Sequence, residues 1–348
     1  MGCIASLRRD IRVSPEAMKF KSRVTILILG TASSGKSTIL KQMKILHKNG
    51  FSTIERKHYN SLVVGNLTES MHGIIDIINA TPELQFRDHT SRIKSVYFEA
   101  MVDELLRGNY EITIDIVPLI RELLKDPVIM RCFKKYRHLV PNAEAAEYFF
   151  QQIDRICLIG YLPTNQDILH TRLATTRPTE FEFEYDQLSL MMVDVGGQRT
   201  ERNKWVHCFE GVHAVLFCVS LDDYALDLKE DATTNAMQES LRVFAWAINN
   251  KWLHTKPIVL FLNKKDLFER IIKYVSISCS FPDYSGAAFN YDDGITFIKQ
   301  MYLAKDAQLN RRIYTHVTCA TNTENIDTVL CAAINSIIKG GMDKYGLL

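Results

Sequence analysis

Residues 24–38 read Val-Thr-Ile-Leu-Ile-Leu-Gly-Thr-Ala-Ser-Ser-Gly-Lys-Ser-Thr. The first six are β-branched or aliphatic, the composition of a short buried strand running into a turn. Gly30 to Ser37 then fit the spacing G-x-x-x-x-G-K-[ST], and helix-favouring residues continue from Lys36 to about His47. Strand, glycine-bounded loop and helix in that order form the context a phosphate-binding loop requires. Backbone N–H groups along Thr31, Ala32, Ser33, Ser34 and Gly35 can wrap an anion, and the helix N-terminus adds positive dipole. Lys36 is spaced to reach the outer phosphates of a nucleotide, and the Ser37 hydroxyl to ligate Mg²⁺. The loop alone does not separate a GTPase from a kinase, an ATPase or a motor.

Two later motifs narrow the choice. Asp194-Val195-Gly196-Gly197-Gln198 begins where an apolar run, 188–193, ends. A carboxylate at a strand's C-terminal end can hold Mg²⁺ through water, a glycine lets backbone approach a terminal phosphate, and Gln198 can orient an attacking water. Asn263-Lys264-Lys265-Asp266 follows the run 258–262. Asp266 can accept two hydrogen bonds from the guanine N1–H and 2-amino group, which adenine does not offer, so the wrong base would leave a carboxylate unpaired. Lys264 would lie along the base, and Asn263 would tie this loop to the phosphate loop. Thr318-Cys319-Ala320-Thr321 follows a run at 314–319 and offers backbone N–H groups to the guanine oxygen. Each tetrapeptide alone could be an ordinary turn; their order along one chain makes the set specific.

Composition sets the frame. The chain has 348 residues, 47% apolar and 24% charged, enough for a substantial core in two domains or one large one. A formal net charge of +2 gives no nucleic-acid signature. Eight cysteines lie scattered without metal-ligand spacing, which predicts reduced thiols of a cytosolic protein. No apolar stretch reaches the roughly 20 residues of a membrane helix. Further strands are predicted at 181–185 and 214–219 and a helix at 233–250, an alternation that argues for a mostly parallel sheet covered on both faces. A last helix is predicted over about 325–339. Residues 52–169 differ: helical patterns such as 93–107, 114–124 and 143–156 are punctuated by prolines, and strand alternation is nearly absent. We read this stretch as an all-helical domain inserted into an α/β domain made of 23–51 and 170–348. Residues 1–22 form a separate segment. Its start, Met1-Gly2-Cys3-Ile4-Ala5-Ser6, fits N-myristoylation at Gly2, with Cys3 a palmitoyl acceptor and Arg8, Arg9 and Arg12 behind it. Two acyl chains give stable anchoring where one gives only marginal binding.

The ordered segments 30–38, 171–176, 194–205, 263–266 and 318–321 resemble those of the α subunits of heterotrimeric G proteins, and the similarity runs along essentially the whole chain. The resemblance implies a Ras-like P-loop GTPase fold, a doubly wound sheet with an inserted helical domain, that binds GTP or GDP with Mg²⁺. It adds Thr38 and Leu169 to the nucleotide contacts. It assigns Arg172 as an arginine supplied in cis to the transferring phosphate, and Thr175 as the second direct Mg²⁺ ligand beside Ser37. It pairs Arg202 with Glu239 and makes Trp205 a reporter of switch movement, although core packing would equally explain that tryptophan. Implied partners are a βγ dimer, a seven-helix receptor, an effector enzyme or channel, GTPase-activating regulators, and the cytoplasmic face of the plasma membrane reached through the N-terminal lipids.

The chain departs from the family pattern in places. Ala32 stands where the family's phosphate loop has a second glycine, and Ser33 where it has the glutamate that pairs with the switch arginine. Both changes predict slower hydrolysis, or a hydrolysis-impaired scaffold as the alternative. The N-terminal segment is shorter than usual and holds Pro15, which predicts weaker βγ binding. The end, Lys344-Tyr345-Gly346-Leu347-Leu348, resembles the inhibitory class, with Tyr345 in place of the cysteine that pertussis toxin modifies. Gly340-Gly341 is expected to weaken the last helix.

Overall fold

The computed structural model describes residues 23–107, 114–185, 188–228, 231–308 and 311–345. The predicted acylation sites Gly2 and Cys3, the arginines behind them, Pro15, residues 346–348 and the Tyr345 side chain lie outside what is described.

The main sheet joins β1 (Arg23–Gly30), β2 (Thr179–Tyr185), β3 (Leu188–Asp194), β4 (Ala214–Ser220), β7 (Ile258–Asn263) and β8 (Ile313–Val317) in the order β2-β3-β1-β4-β7-β8. Every pairing is parallel except β2 with β3. The apolar runs are continuous because both faces are covered, and successive side chains divide between two layers. Leu27, Leu29, Val215 and Phe217 pack toward α9 (Ala236–Ile248) and α11 (Tyr291–Leu303) through Met237, Phe244, Ile298 and Tyr302. Ile26, Ile28, Leu216 and Cys218 pack toward α1 (Lys36–His47) and α12 (Thr323–Tyr345) through Ile39, Met43, Leu330 and Ile334. This is the mostly parallel α/β architecture expected.

Between α1 and β2 the described residues fold into helices: α2 (Thr53–Ala80), α3 (His89–Leu106), α4 (Val117–Leu123), α5 (Pro127–Lys135), α6 (Ala143–Gln151), α7 (Ile153–Ile156) and α8 (Asn165–His170). They enclose a core of their own, with Leu67, Met71, Ile74, Phe98, Ile120, Ile129 and Phe149 fully buried. The long α2 is its axis, started by a capping box in which Ser52 and Glu55 satisfy each other's backbone N–H.

Several boundaries differ from expectation. The last helix does not fade at Gly340-Gly341 but continues to Tyr345. Two glycines cost about 1 kcal/mol each, less than the apolar face from Ile326 to Ile337 supplies. The helix expected from 233 begins at Ala236, because 231–235 pair as strand β6 (Asp231–Asn235) with β5 (Asp227–Leu228) and Asn235 then caps α9. The pattern at 143–156 breaks at Gln152 into two helices. Residues 114–116 form a 3-10 turn ahead of α4. The strand predicted to 319 stops at Val317, where the chain turns into a loop.

Gly73, inside α2, marks a close approach. A methyl group there would stand 2.4 Å from Cδ of the Pro141 ring, and Ser70 one turn earlier donates to the Pro141 carbonyl at 2.8 Å. Alanine normally improves a helix interior by about 1 kcal/mol over glycine, but here the rigid ring reverses the sign. Gly73→Ala is expected to lower stability by about 1–3 kcal/mol, read as a fall in the thermal unfolding midpoint. A higher midpoint would show that the ring yields.

Candidate functional site

The phosphate loop leaves β1 at Gly30, where φ is 145° and a methyl group would stand 2.3 Å from the Cys218 carbonyl oxygen, so no side chain fits. Ser34 closes the turn by donating to the Thr31 carbonyl at 2.9 Å. Gly35, at φ 98°, precedes α1, and a methyl group on it would meet the Asn263 amide at 2.1 Å. Ser33 sits at φ 63°, a left-handed conformation that costs a non-glycine residue about 1 kcal/mol or more. Lys36, only 5% exposed, donates to the Gly30 carbonyl at 2.9 Å and the Thr31 carbonyl at 2.7 Å. Burial lowers its pKa, while Asp194 opposes the shift.

Asp194 ends β3 beside this loop and is 1% exposed. The Ser37 hydroxyl donates to its Oδ2 at 2.5 Å and lies 2.9 Å from the Thr175 hydroxyl. Its Oδ1 is buried without a partner, and burial raises its pKa against the pull of Lys36. Three hard oxygen donors with an orphaned carboxylate oxygen suit a hard divalent cation. Gly197 follows, and a methyl group there would meet Lys36 Nζ at 2.5 Å and the Thr31 carbonyl at 2.6 Å. Gln198 is exposed at the cleft. The next turn is tied to α9: Arg202 donates to Glu239 at 2.6 Å and to the Gly197 carbonyl at 3.1 Å. Trp205 is 1% exposed and donates through its indole N–H to the Gly196 carbonyl at 2.7 Å. It is therefore a core residue that also grips the turn.

Asn263 ends β7 and donates to the Ser34 carbonyl at 2.8 Å, while its Oδ1 accepts from the Ala320 N–H at 2.9 Å and the Thr318 hydroxyl at 3.1 Å. One side chain thus couples three loops. Lys264, at φ 61°, pairs with Glu144 of α6 at 2.6 Å and lies 3.8 Å from Asp222. Burial alone would lower the Lys264 pKa, but Asp222, Glu144 and Asp223 together hold it raised. Asp266 is exposed in the cleft; Cys319 and Ala320 are buried in its wall.

These elements enclose a cleft of about 860 Å³ between the sheet edge and the helices. Ala32, Ser33, Gly35, Lys36, Ser37, Thr38, Leu169, Arg172, Thr175, Asp194, Gly197, Gln198, Asn263, Lys264, Asp266, Cys319 and Ala320 all line it. Gly30, Thr31 and Ser34 lie behind, in the loop's own hydrogen bonds. The cleft and the helices around it also hold residues that no motif pointed to. Lys41, its pKa lowered to about 8 by burial, donates to the carbonyls of Ile168 and Thr171, both at 2.8 Å. Tyr148 stacks on His170 with ring centroids 3.8 Å apart. Asn66 binds the backbone of Arg172. Their partners are distant in sequence, so spacing carries no signal for them.

The fold and cleft define a P-loop nucleotide-binding protein of the α/β class with a helical wall over its site. A family model described as the G-protein alpha subunit matches residues 6–338. The chain belongs to that family, and so is an α subunit of the heterotrimeric G proteins, signalling proteins that bind guanine nucleotide and work with βγ, receptor and effector partners. Members of the family are generally GTPases.

The segment leading to Arg172 hangs on Asp167. This buried carboxylate accepts from Arg155 at 2.8 and 2.6 Å, Tyr148 at 2.9 Å, Tyr161 at 3.0 Å and the Thr164 N–H at 2.7 Å. Burial would raise its pKa, but Arg155, Thr164 and Tyr148 outweigh that and bring it from 3.8 to about 2. A folded pKa below the unfolded one stabilises above about pH 4 and is lost as pH falls through about 2, an effect on the order of 2 kcal/mol. Asp167→Asn is expected to cost about 3 kcal/mol at neutral pH and to flatten stability between pH 5 and 2. Denaturant unfolding across that range tests this; an unchanged acid slope in the variant refutes it.

Proposed function

We propose that this α subunit is a GTP-hydrolysing switch that couples seven-helix receptors to an intracellular effector. One observation carries the reading: the phosphate-loop lysine, the Ser37–Thr175–Asp194 oxygens and the 263–266 loop all open into one cleft. Lys36 and the loop N–H groups bind the β- and γ-phosphates. Ser37 and Thr175 would hold Mg²⁺ directly and Asp194 through water, and the ion would neutralise charge on the phosphate oxygens. Gln198 orients the attacking water. Arg172 stabilises charge developing as the γ-phosphoryl group departs, the cis-arginine role that the general phosphoryl-transfer scheme already assigns to this family. Residues 52–169 act as an inserted domain that closes over the nucleotide. Loss of the γ-phosphate releases the two segments around Thr175 and Gln198, which alternately bind βγ and effector.

The N-terminal Gly2 and Cys3 would carry the lipids that hold the chain to the cytoplasmic face of the plasma membrane. Its tail sequence resembles that of the inhibitory class, and Tyr345 would exclude toxin modification at that position. GTPase-activating regulators complete the partner set.

The nucleotide assignment is tested by competition. A labelled GTP analogue bound with Mg²⁺ is expected to be displaced by GDP on the order of 10⁴-fold more effectively than by ADP. Equal displacement by ADP would sink the guanine reading.

A second reading rests on Ala32 and Ser33, both facing the cleft. The methyl group crowds the γ-phosphate side, and the loop gives Arg172 no carboxylate partner, so the chain could bind GTP yet turn it over poorly, as a scaffold. Restoring Ala32→Gly with Ser33→Glu is expected to raise single-turnover hydrolysis about tenfold, the effect of ~1.4 kcal/mol on the barrier. No change in rate would show that these positions do not limit turnover.

A further inference from the structure

Asn66 lies in the interior of α2, where asparagine is a poor helix former. It is 5% exposed, so its amide would be costly to bury unpaired. The amide is satisfied by one residue far along the chain. Its Oδ1 accepts the backbone N–H of Arg172 at 2.7 Å, and its Nδ2 donates to the Arg172 carbonyl at 2.9 Å. The two partners fix the amide's orientation, since an N–H must face the oxygen and a carbonyl must face the nitrogen. Glutamine is one methylene too long for this fit, aspartate has no donor, and serine cannot serve both ends. Val63 and Leu67 on either side of Asn66 are fully buried in the helical core, so the amide cannot shift without α2.

We propose that Asn66 is a positioning residue for hydrolysis: it clamps the Arg172 backbone so that the guanidinium reaches the γ-phosphoryl group. This rests on the reading of Arg172 given above. A long side chain magnifies any rotation at its base, and a misplacement of about 1 Å in a reacting group costs on the order of 100-fold in rate. The neighbouring anchors do not replace the clamp. Lys41 holds the carbonyl of Thr171, and Thr175 meets Ser37; neither bonds the N–H or the carbonyl of Arg172 itself.

The experiment uses the full chain with GTP and Mg²⁺, comparing Asn66→Ala, Asn66→Leu, Arg172→Ala and the Asn66→Ala/Arg172→Ala pair. Asn66→Leu keeps the branched heavy-atom shape while removing both hydrogen bonds, and guards against misfolding of the alanine variant. Each Asn66 variant is expected to slow single-turnover hydrolysis roughly 10- to 100-fold, with affinity for a non-hydrolysable GTP analogue changed less than about threefold. Asn66→Ala should add no further loss once Arg172 is alanine, and amide exchange over residues 171–174 should rise in both Asn66 variants. Wild-type hydrolysis in the Asn66 variants overturns the inference. So does a loss that multiplies with Arg172→Ala, or faster GDP release with hydrolysis intact, which would make Asn66 a latch between the helices and the sheet. Arg172→Ala hydrolysing at the wild-type rate, or no hydrolysis by the unaltered chain, defeats the reading of Arg172 itself.

Discussion

A buried ammonium group at the end of a buried strand organises this molecule. Removing an ion from water costs several kcal/mol even after relaxation, and Lys36 recovers part of that from two loop carbonyls and from Asp194. Its surroundings follow from the need to bring backbone that close. Gly30, Gly35 and Gly197 are the positions where a methyl group would strike a carbonyl, an amide or Lys36 itself. The same economy of space sets Lys36 beside Asp194, whose second oxygen is buried without a partner at the cleft. The donors of such a site suit a polyanion and a hard cation together.

The helical wall meets the sheet mainly through charge. Lys264 bonds Glu144, and Arg270 bonds Glu147 at 2.9 Å. Both pairs are partly exposed, and exposed ion pairs contribute about 0–1 kcal/mol each. The two cores share no comparable apolar seam among the described residues, since each closes on its own helices. The contact between the wall and the α/β part is therefore polar, made of ion pairs and of the Lys41 hydrogen bonds to Ile168 and Thr171.

The sheet side of this site is legible in the sequence because its residues are local. Lys36 lies six residues from Gly30, and Asp194, Asn263 and Thr318 each sit at or just past a strand end, where a parallel sheet gathers its loops. The role of Arg172 comes only through family resemblance. Asn66, Lys41, Tyr148 and Asp167 are not legible at all. They act on backbone groups, a ring and polar side chains brought near by the packing of α1, α2, α6 and α8, and one sequence contains no periodicity that reports such a contact. Helix ends escape the sequence for a related reason: propensity at Gly340-Gly341 argues for an early stop, whereas the buried face before it decides where α12 ends.

The segment from 171 to 175 joins the two halves of the site, and its anchors are unequal. At one end the Arg172 backbone exchanges two part-buried hydrogen bonds with Asn66, and Thr171 is held by Lys41. At the other, the Thr175 hydroxyl meets Ser37 of α1, a contact that contributes about 1 kcal/mol net. Leu173, between them, is largely exposed and adds no core contact. The Thr175 end is therefore the weaker anchor in the protein alone, and under the proposed function a cation at Ser37 and Asp194 would strengthen it. Under the proposed function, the stretch after Arg172 is the part free to move, while the arginine's backbone stays tied to α2.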